Sequence, residues 1–148
     1  MPHRLAAAFL PYCSRVPTGA DTAHLQIQNG LVTAMTRTPE QIFQEHGQAL
    51  GSGDLDKISA NYAEDAVFVT PSGVLRGREG VKQGIAALLG DLPDASWDLT
   101  PQFVGDVLFL EWSATGAHAR VEDGVDTFVF RDGLIQAQTV RYTLITES

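Results

Sequence analysis

The carboxyl-terminal part of the chain alternates apolar and polar residues with a period of two, which constrains the fold more than any other feature. The alternation predicts four strands, near residues 96–104, 107–116, 121–130 and 134–145. They are separated by Gly105-Asp106, residues 116–120 and Asp132-Gly133. These turn residues favour antiparallel hairpins, so we expect an antiparallel meander at this end of the chain.

Helical patterns precede the meander. Thr38 and Gln41 have the spacing of a capping box, and the apolar stripe after them predicts a helix over residues 39–50. Asp54 is expected to cap a second, short helix, whose buried face would extend as far as Tyr62.

A strand over residues 66–70 should end at Pro71, and a turn at Ser72-Gly73 leads to a third helix over residues 77–90. Helices grouped first and a meander grouped last indicate an α+β fold. We expect three N-terminal helices packed on one face of an antiparallel sheet.

Composition limits the class of protein. The chain has 148 residues, of which 44% are hydrophobic, so it can build one domain with a substantial core. A formal net charge of −8 argues against a nucleic-acid partner. The longest apolar run, residues 5–11, is much too short to cross a membrane. Cys13 is the only cysteine, which fits a reducing compartment, and we expect a cytoplasmic protein.

Residues 1–34 differ from the rest of the chain. They carry two arginines and one acid, whereas the remainder carries 8 basic and 17 acidic residues. Several prolines interrupt any helix there, and the short apolar stretch lacks a clear signal-peptide cleavage site. We predict a poorly ordered extension at residues 1–34 and one domain at 35–148. An alternative is that the native chain begins at Met35.

Four stretches resemble the nuclear transport factor 2-like superfamily, and the last of them resembles its SnoaL-like branch. They are Gly53-Asp54-Leu55-Asp56, Tyr62-Ala63-Glu64-Asp65-Ala66-Val67, Arg76-Gly77-Arg78-Glu79-Gly80-Val81 and residues 126–135. The resemblance covers residues 39–145. It implies a cone, in which a curved sheet wraps around the first helix and leaves a hydrophobic cavity open at one end. It also implies a homodimer formed through the sheet. Function does not follow, because the superfamily contains isomerases, cyclases, dehydratases, epoxide hydrolases and transport adaptors.

Two of these chemistries fit the residues poorly. The base of ketosteroid isomerases with this fold would fall at Thr70, and their oxyanion-binding tyrosine at His46. The assisting acid would fall near Asp123, in a predicted turn. Limonene epoxide hydrolases have an aspartate where this chain has Arg141. Neither activity is expected.

Asp126 is the best match to a catalytic residue, because it resembles the aspartate that SnoaL-like polyketide cyclases use. A period of two places it on one face with Phe128 and Phe130, so all three should face the cavity together. Burial there would raise its pKa toward neutrality, as a general base requires. Two alternatives remain: a β-bulge turns Asp126 outward, or the carboxylate pairs with Arg141 or Arg120.

His46 lies on the apolar stripe of the first helix and could donate to a substrate oxygen or relay a proton, although a hydrogen-bonded core histidine is the common alternative. Further side chains are candidates for binding substrate at the cavity wall. They are Tyr62, Phe68, Trp97, Trp112, Phe128 and Tyr142. Ordinary core or dimer packing would explain these residues equally well. Glu111 and Trp112 should face opposite ways.

We find no spacing typical of metal ligands and no glycine-rich phosphate loop, so neither a metal nor a cofactor is expected. Two hypotheses follow. The first is a cofactor-free acid–base enzyme, with Asp126 as base, acting on a small hydrophobic carbonyl compound of cyclic or polyketide type. His46 or a tyrosine would stabilise the enolate. The second is a non-catalytic dimeric module that binds a hydrophobic metabolite or a partner chain.

Overall fold

The computed structural model of the chain describes residues 36–147, so the predicted N-terminal extension lies outside the described residues. The helices are α1 (Pro39–Ser52), α2 (Leu55–Ser59) and α3 (Gly77–Asp91). The strands are β1 (Tyr62–Thr70), β2 (Gly73–Arg76), β3 (Ser96–Val104), β4 (Val107–Thr115), β5 (Ala119–Arg131), β6 (Leu134–Arg141) and β7 (Ile145–Thr146). No helix within 36–147 is long and apolar enough to span a membrane.

The strands of this part of the chain form one sheet, in the order β2-β1-β6-β5-β4-β3, with the short β7 paired to β5. The predicted meander is confirmed, since β3, β4, β5 and β6 pair antiparallel in succession. β1 joins this meander beside β6 in parallel orientation, while β2 forms a hairpin with β1. The α+β class is therefore confirmed, with one parallel pair inside a mainly antiparallel sheet.

α1 begins where the capping pattern predicted. The Thr38 hydroxyl accepts from the Gln41 amide at 3.2 Å, and the Gln41 side chain accepts from the Thr38 amide at 2.8 Å. This reciprocal pair satisfies two donors at the start of the helix. The helix continues two residues beyond the predicted end and stops at Gly53, whose φ of +71° is the left-handed conformation typical of a helix C-cap.

The second helix is shorter than its apolar pattern predicted. α2 ends at Ser59, and Tyr62 is the first residue of β1. Strand pairing overrides the helical spacing here: the Asn61 carbonyl accepts from the Ile135 amide at 2.9 Å, and Tyr62 pairs with Ile135 in parallel register. The third helix follows the first strand, as the sequence predicted, and α3 (Gly77–Asp91) extends one residue beyond the predicted end at residue 90.

The helices cover the inner face of the curved sheet, and the core lies between them. Alternate residues of β4 are buried on this face, whereas Glu111 and its outer-face neighbours are exposed. From α1, Ile42, Phe43 and His46 enter the core. This arrangement brings the middle of β4, β5 and β6 opposite α1, where the candidate site lies.

Candidate functional site

Asp126 lies in the middle of β5 with its side chain on the inner face, and only 5% of it is exposed. Phe128 and Phe130 are buried on the same face, as the alternation predicted. A bulge does occur in β5, because Trp112 pairs with Gly124 while Ala114 pairs with Val121. The bulge precedes Asp126 and does not turn it outward.

Neither arginine considered from the sequence pairs with Asp126. Arg120 Nε lies 3.1 Å from a Glu122 carboxylate oxygen, and Arg141 lies 3.7 Å from Asp123. The Asp126 carboxylate is held by neutral donors instead. Trp112 Nε1 donates to its Oδ1 at 2.8 Å, and Gln138 Nε2 donates to its Oδ2 at 2.9 Å.

Strand pairing explains why these two donors reach the carboxylate. Asp126 pairs with Leu110 on β4 and with Val140 on β6. Trp112 and Gln138 are each two residues from those partners, so they project from the same face as diagonal neighbours of Asp126. Gln138 also accepts, through Oε1, a hydrogen bond from the Tyr62 hydroxyl. Four side chains from four strands therefore form one buried hydrogen-bond chain.

The environment of Asp126 shifts its protonation equilibrium. Burial raises the pKa of the carboxyl from 3.8 to about 7, against the opposing effect of the hydrogen bonds from Trp112 and Gln138. Loss of hydration penalises the charged form more than two neutral donors can restore. Asp126 consequently has substantial populations of both the acid and the carboxylate near neutral pH.

His46 enters the same region from α1 and is 2% exposed. Its ring meets those of Tyr62 and Phe128 edge-on, with centroids 5.6 and 5.7 Å apart, and its Nδ1 has no hydrogen-bond partner. Burial lowers the pKa of His46 from 6.5 to about 4, so the imidazole is neutral at pH 7. It is thus a core histidine with one nitrogen unsatisfied, which is uncommon for a buried polar atom.

His46 and Asp126 both line a narrow cavity between α1, α3 and the sheet, which we call the inner pocket. Its volume is about 30 Å³. The lining is otherwise mainly apolar: Phe43, Leu50, Ile85, Leu88, Leu89, Trp97, Leu99, Leu110, Trp112, Phe128 and Gln138. This volume admits roughly one or two water-sized groups.

The predicted wall residues divide between different places. Trp97, Trp112 and Phe128 line the inner pocket. Phe68 and Tyr142 line a second concavity of about 540 Å³ beside α3, the outer groove. The Tyr142 ring lies 5.5 Å from that of Trp112, and its hydroxyl donates to Asp91 at 2.7 Å.

Tyr62 lines neither the inner pocket nor the outer groove, because its hydroxyl is turned toward Gln138. Gln138 itself is the site residue that the sequence reasoning missed. The strand alternation could have found Gln138. It is two residues from Val140 on the last predicted strand, so its polar side chain lies on the buried face.

Within residues 36–147, no three His, Cys, Asp or Glu side chains are grouped so that they could hold a metal ion. The arrangement that remains is a carboxyl, a neutral imidazole and apolar walls. Such a set can bind the polar end of an otherwise hydrophobic molecule, and the carboxyl can exchange a proton with it.

The architecture defines the class: a curved mixed sheet around a capped first helix is the nuclear transport factor 2-like fold. The model of the SnoaL-like domain family matches residues 43–138, and the chain belongs to that family. No curated protein matches the sequence.

Solved structures agree on the fold. An NTF2-like protein of unknown function from Cytophaga hutchinsonii is 13% identical, with a TM-score of 0.60 over 75% of this chain and 95% of the other. IdmH of Streptomyces antibioticus, a candidate polyketide cyclase, is 21% identical, with a TM-score of 0.59 over 72% and 92%. A SnoaL-like protein of unknown function from Burkholderia thailandensis is 21% identical, with a TM-score of 0.57 over 74% and 99%.

Proposed function

We propose that this protein binds a small hydrophobic carbonyl compound at the inner pocket and catalyses cofactor-free proton transfer on it, as isomerases and cyclases do. One observation carries the proposal: Asp126, a buried carboxyl with a pKa of about 7, lines the same pocket as an imidazole with an unpartnered nitrogen. A general base works best when its pKa lies near the operating pH. The likeness to IdmH, a candidate polyketide cyclase, is compatible with this chemistry.

The proposed reaction begins when the Asp126 carboxylate removes a proton from the carbon beside the carbonyl group. The electrons of the broken C–H bond form the enolate, whose oxygen becomes negative. His46 is neutral at pH 7, and in the tautomer with hydrogen on Nδ1 it can donate to that oxygen. Where the enolate is conjugated with a C=C bond, return of the proton from Asp126 to another carbon gives an isomer. Where the enolate carbon attacks a second carbonyl of the ligand, a ring closes, and the new alkoxide oxygen takes the proton from Asp126, which restores the carboxylate.

The size of the inner pocket restricts how the ligand is held. A volume of about 30 Å³ accommodates the reacting carbonyl group but not a whole ring system. The rest of the ligand would lie against the half-buried apolar residues Leu50, Leu89 and Trp97. The net charge of −8 disfavours an anionic ligand over a neutral one.

The proposal is tested by following exchange of the α-hydrogens of 2-tetralone, a neutral cyclic ketone, for deuterium in D₂O by mass spectrometry. The protein should accelerate exchange, Asp126→Asn should remove the acceleration, and His46→Phe should reduce it by about 10- to 100-fold. His118→Ala is the matched control, because His118 is exposed in the turn before β5. Equal acceleration by wild-type protein and Asp126→Asn would overturn the role of Asp126.

The second candidate, a non-catalytic dimeric binding module, is favoured by the outer face of the sheet. Phe109 and Val107 of β4 are 40% and 41% exposed there, on the face opposite to the helices. Packing this face against a second copy of the chain would bury both residues. Sedimentation velocity should then show a dimer that Phe109→Asp converts to a monomer. A monomeric wild-type protein would count against the dimer, and ketone exchange that depends on Asp126 would count against a purely binding role.

A further inference from the structure

The two protein groups that are hydrogen-bonded to the Asp126 carboxylate, Trp112 Nε1 and Gln138 Nε2, are both donors. Trp112 Nε1–H can donate but has no lone pair to accept a proton. The Gln138 amide is different, because its two ends are nearly alike in shape and either an N–H or the carbonyl oxygen could face Asp126. The orientation of this amide determines whether the protein can accept a hydrogen bond from protonated Asp126.

Tyr62 determines that orientation. Its hydroxyl donates to Gln138 Oε1, which holds the oxygen toward Tyr62 and the Nε2 hydrogens toward Asp126. Tyr62 and Gln138 are both almost completely buried. Burial and the nearby Asp126 charge raise the pKa of Tyr62, so the hydroxyl keeps its hydrogen. A turned-over amide would present an N–H to Tyr62 and leave the buried hydroxyl hydrogen without the acceptor that it bonds in this structure. The amide therefore has one favourable orientation while Tyr62 is present.

We propose that Tyr62 and Gln138 are a pair of positioning residues, which hold an amide donor against Asp126 so that the proton of its carboxyl faces the inner pocket. The inference rests on the proposed role of Asp126 in proton transfer. Tyr62 thus acts through Gln138 and not, as its sequence pattern indicated, as a wall that touches substrate.

Protonated Asp126 needs a hydrogen-bond acceptor, and the groups bonded to it determine where that acceptor can lie. When Asp126 is protonated, its O–H needs an acceptor, and the bonded groups of Trp112 and Gln138 are both donors. The remaining direction is the inner pocket, where a ligand atom can take the proton. Without the Tyr62 hydroxyl, the Gln138 amide can turn over and present Oε1 to Asp126. The protein would then hold the acidic proton itself.

Substitution of Tyr62 should therefore raise the pKa of Asp126. Tyr62→Phe keeps the ring and removes only the hydroxyl, while Gln138→Leu removes the donor that Tyr62 orients. The other titratable groups around Asp126 stay in place in both variants. They are His46 on α1 and Tyr142 after β6, the latter bonded to Asp91 on α3.

The experiment is a ¹³C NMR titration of the Asp126 carboxyl in ligand-free protein. We expect the ionisation constant to fall about tenfold or more in both variants. In Tyr62→Phe the Gln138 amide can turn over and accept from protonated Asp126, whereas in Gln138→Leu the carboxylate loses a donor. Tyr142→Phe is the matched control, because the Tyr142 hydroxyl donates to Asp91 and takes no part in the hydrogen-bond chain of Tyr62, Gln138 and Asp126. This variant should leave the ionisation constant of Asp126 unchanged.

An unchanged ionisation constant in Tyr62→Phe would overturn the proposal, whether or not Gln138→Leu changes it. A purely structural role for Tyr62 would lower the free energy of unfolding and leave the Asp126 titration unaltered. Failure of the positioning pair can be distinguished from failure of the proposed function. That function fails if wild-type Asp126 titrates near 3.8 or if ketone exchange is absent, whereas the positioning pair is judged by the difference between wild type and variant.

Discussion

His46 and Asp126 should make opposite contributions to the pH dependence of stability. The pKa of Asp126 is raised from 3.8 to about 7 on folding, so the folded chain binds the proton more tightly. The contribution of Asp126 to the free energy of unfolding is fully present below about pH 4 and is lost as pH rises to about 7. The pKa of His46 is lowered from 6.5 to about 4, so the unfolded chain binds the proton more tightly. The contribution of His46 to the free energy of unfolding therefore falls as pH decreases from about 6.5 to about 4.

The magnitudes are similar. At about 1.4 kcal/mol for each pH unit, Asp126 costs the folded state about 4 kcal/mol above pH 7, and protonation of the unfolded chain at His46 costs about 3 kcal/mol below pH 4. Between about pH 4 and pH 6.5 the two slopes have opposite signs and nearly cancel. The free energy of unfolding of the wild-type protein should therefore show neither effect of these two groups in this range.

Urea unfolding between about pH 4 and pH 8 separates the two groups. The free energy of unfolding of Asp126→Asn should rise by about 3 kcal/mol from pH 4 to pH 6.5, and that of His46→Phe should fall by about 4 kcal/mol from pH 4 to pH 7. Exposed carboxylates with lowered pKa values, Asp56 and Asp123, contribute equally to all three proteins. Parallel curves for the three proteins would show that folding does not shift the pKa values of Asp126 and His46 in this way.

Two further predictions concern the supports of the site. A Cβ at Gly124 would lie 2.2 Å from Cδ2 of the Trp112 ring. Gly124→Ala should therefore displace the ring that donates to Asp126 and lower the free energy of unfolding by about 1–3 kcal/mol. Gly90→Ala is the control, because a Cβ at Gly90 would have no atom within 4 Å. Arg37 donates to the Gly133 carbonyl at 2.8 Å and joins the start of α1 to the β5–β6 turn. Arg37→Ala should therefore cost about 1–3 kcal/mol in the same denaturant measurement.

The placement of Asp126 could be predicted because a strand with one buried face leaves little freedom. Once Phe128 and Phe130 are assigned to the core, parity puts Asp126 there as well. The start of α1 was predictable for a similar reason, since Thr38 and Gln41 satisfy local donors. Both inferences depend on neighbours in the chain.

The contact between Tyr62 and Gln138 could not be predicted in the same way, because it joins residues 76 positions apart. The spacing around Tyr62 suits a helix, and only the parallel pairing of β1 with β6 turns it into the first residue of a strand. That pairing also decides the orientation of the Gln138 amide. The small volume of the inner pocket depends on packing between α1, α3 and four strands, which no local pattern reports.

If Asp126 acts as a base near neutral pH on a ligand in the inner pocket, the rate of proton removal should follow the ionisation of its carboxyl. The most direct test is the pH dependence of deuterium exchange into 2-tetralone, measured between about pH 5 and pH 9 after subtraction of the protein-free rate. The rate should rise through about pH 7, as Asp126 ionises, and then level off, and it should be lost in Asp126→Asn. A rate that is independent of pH over this range, or that is the same in the variant, would contradict the role of Asp126 as base.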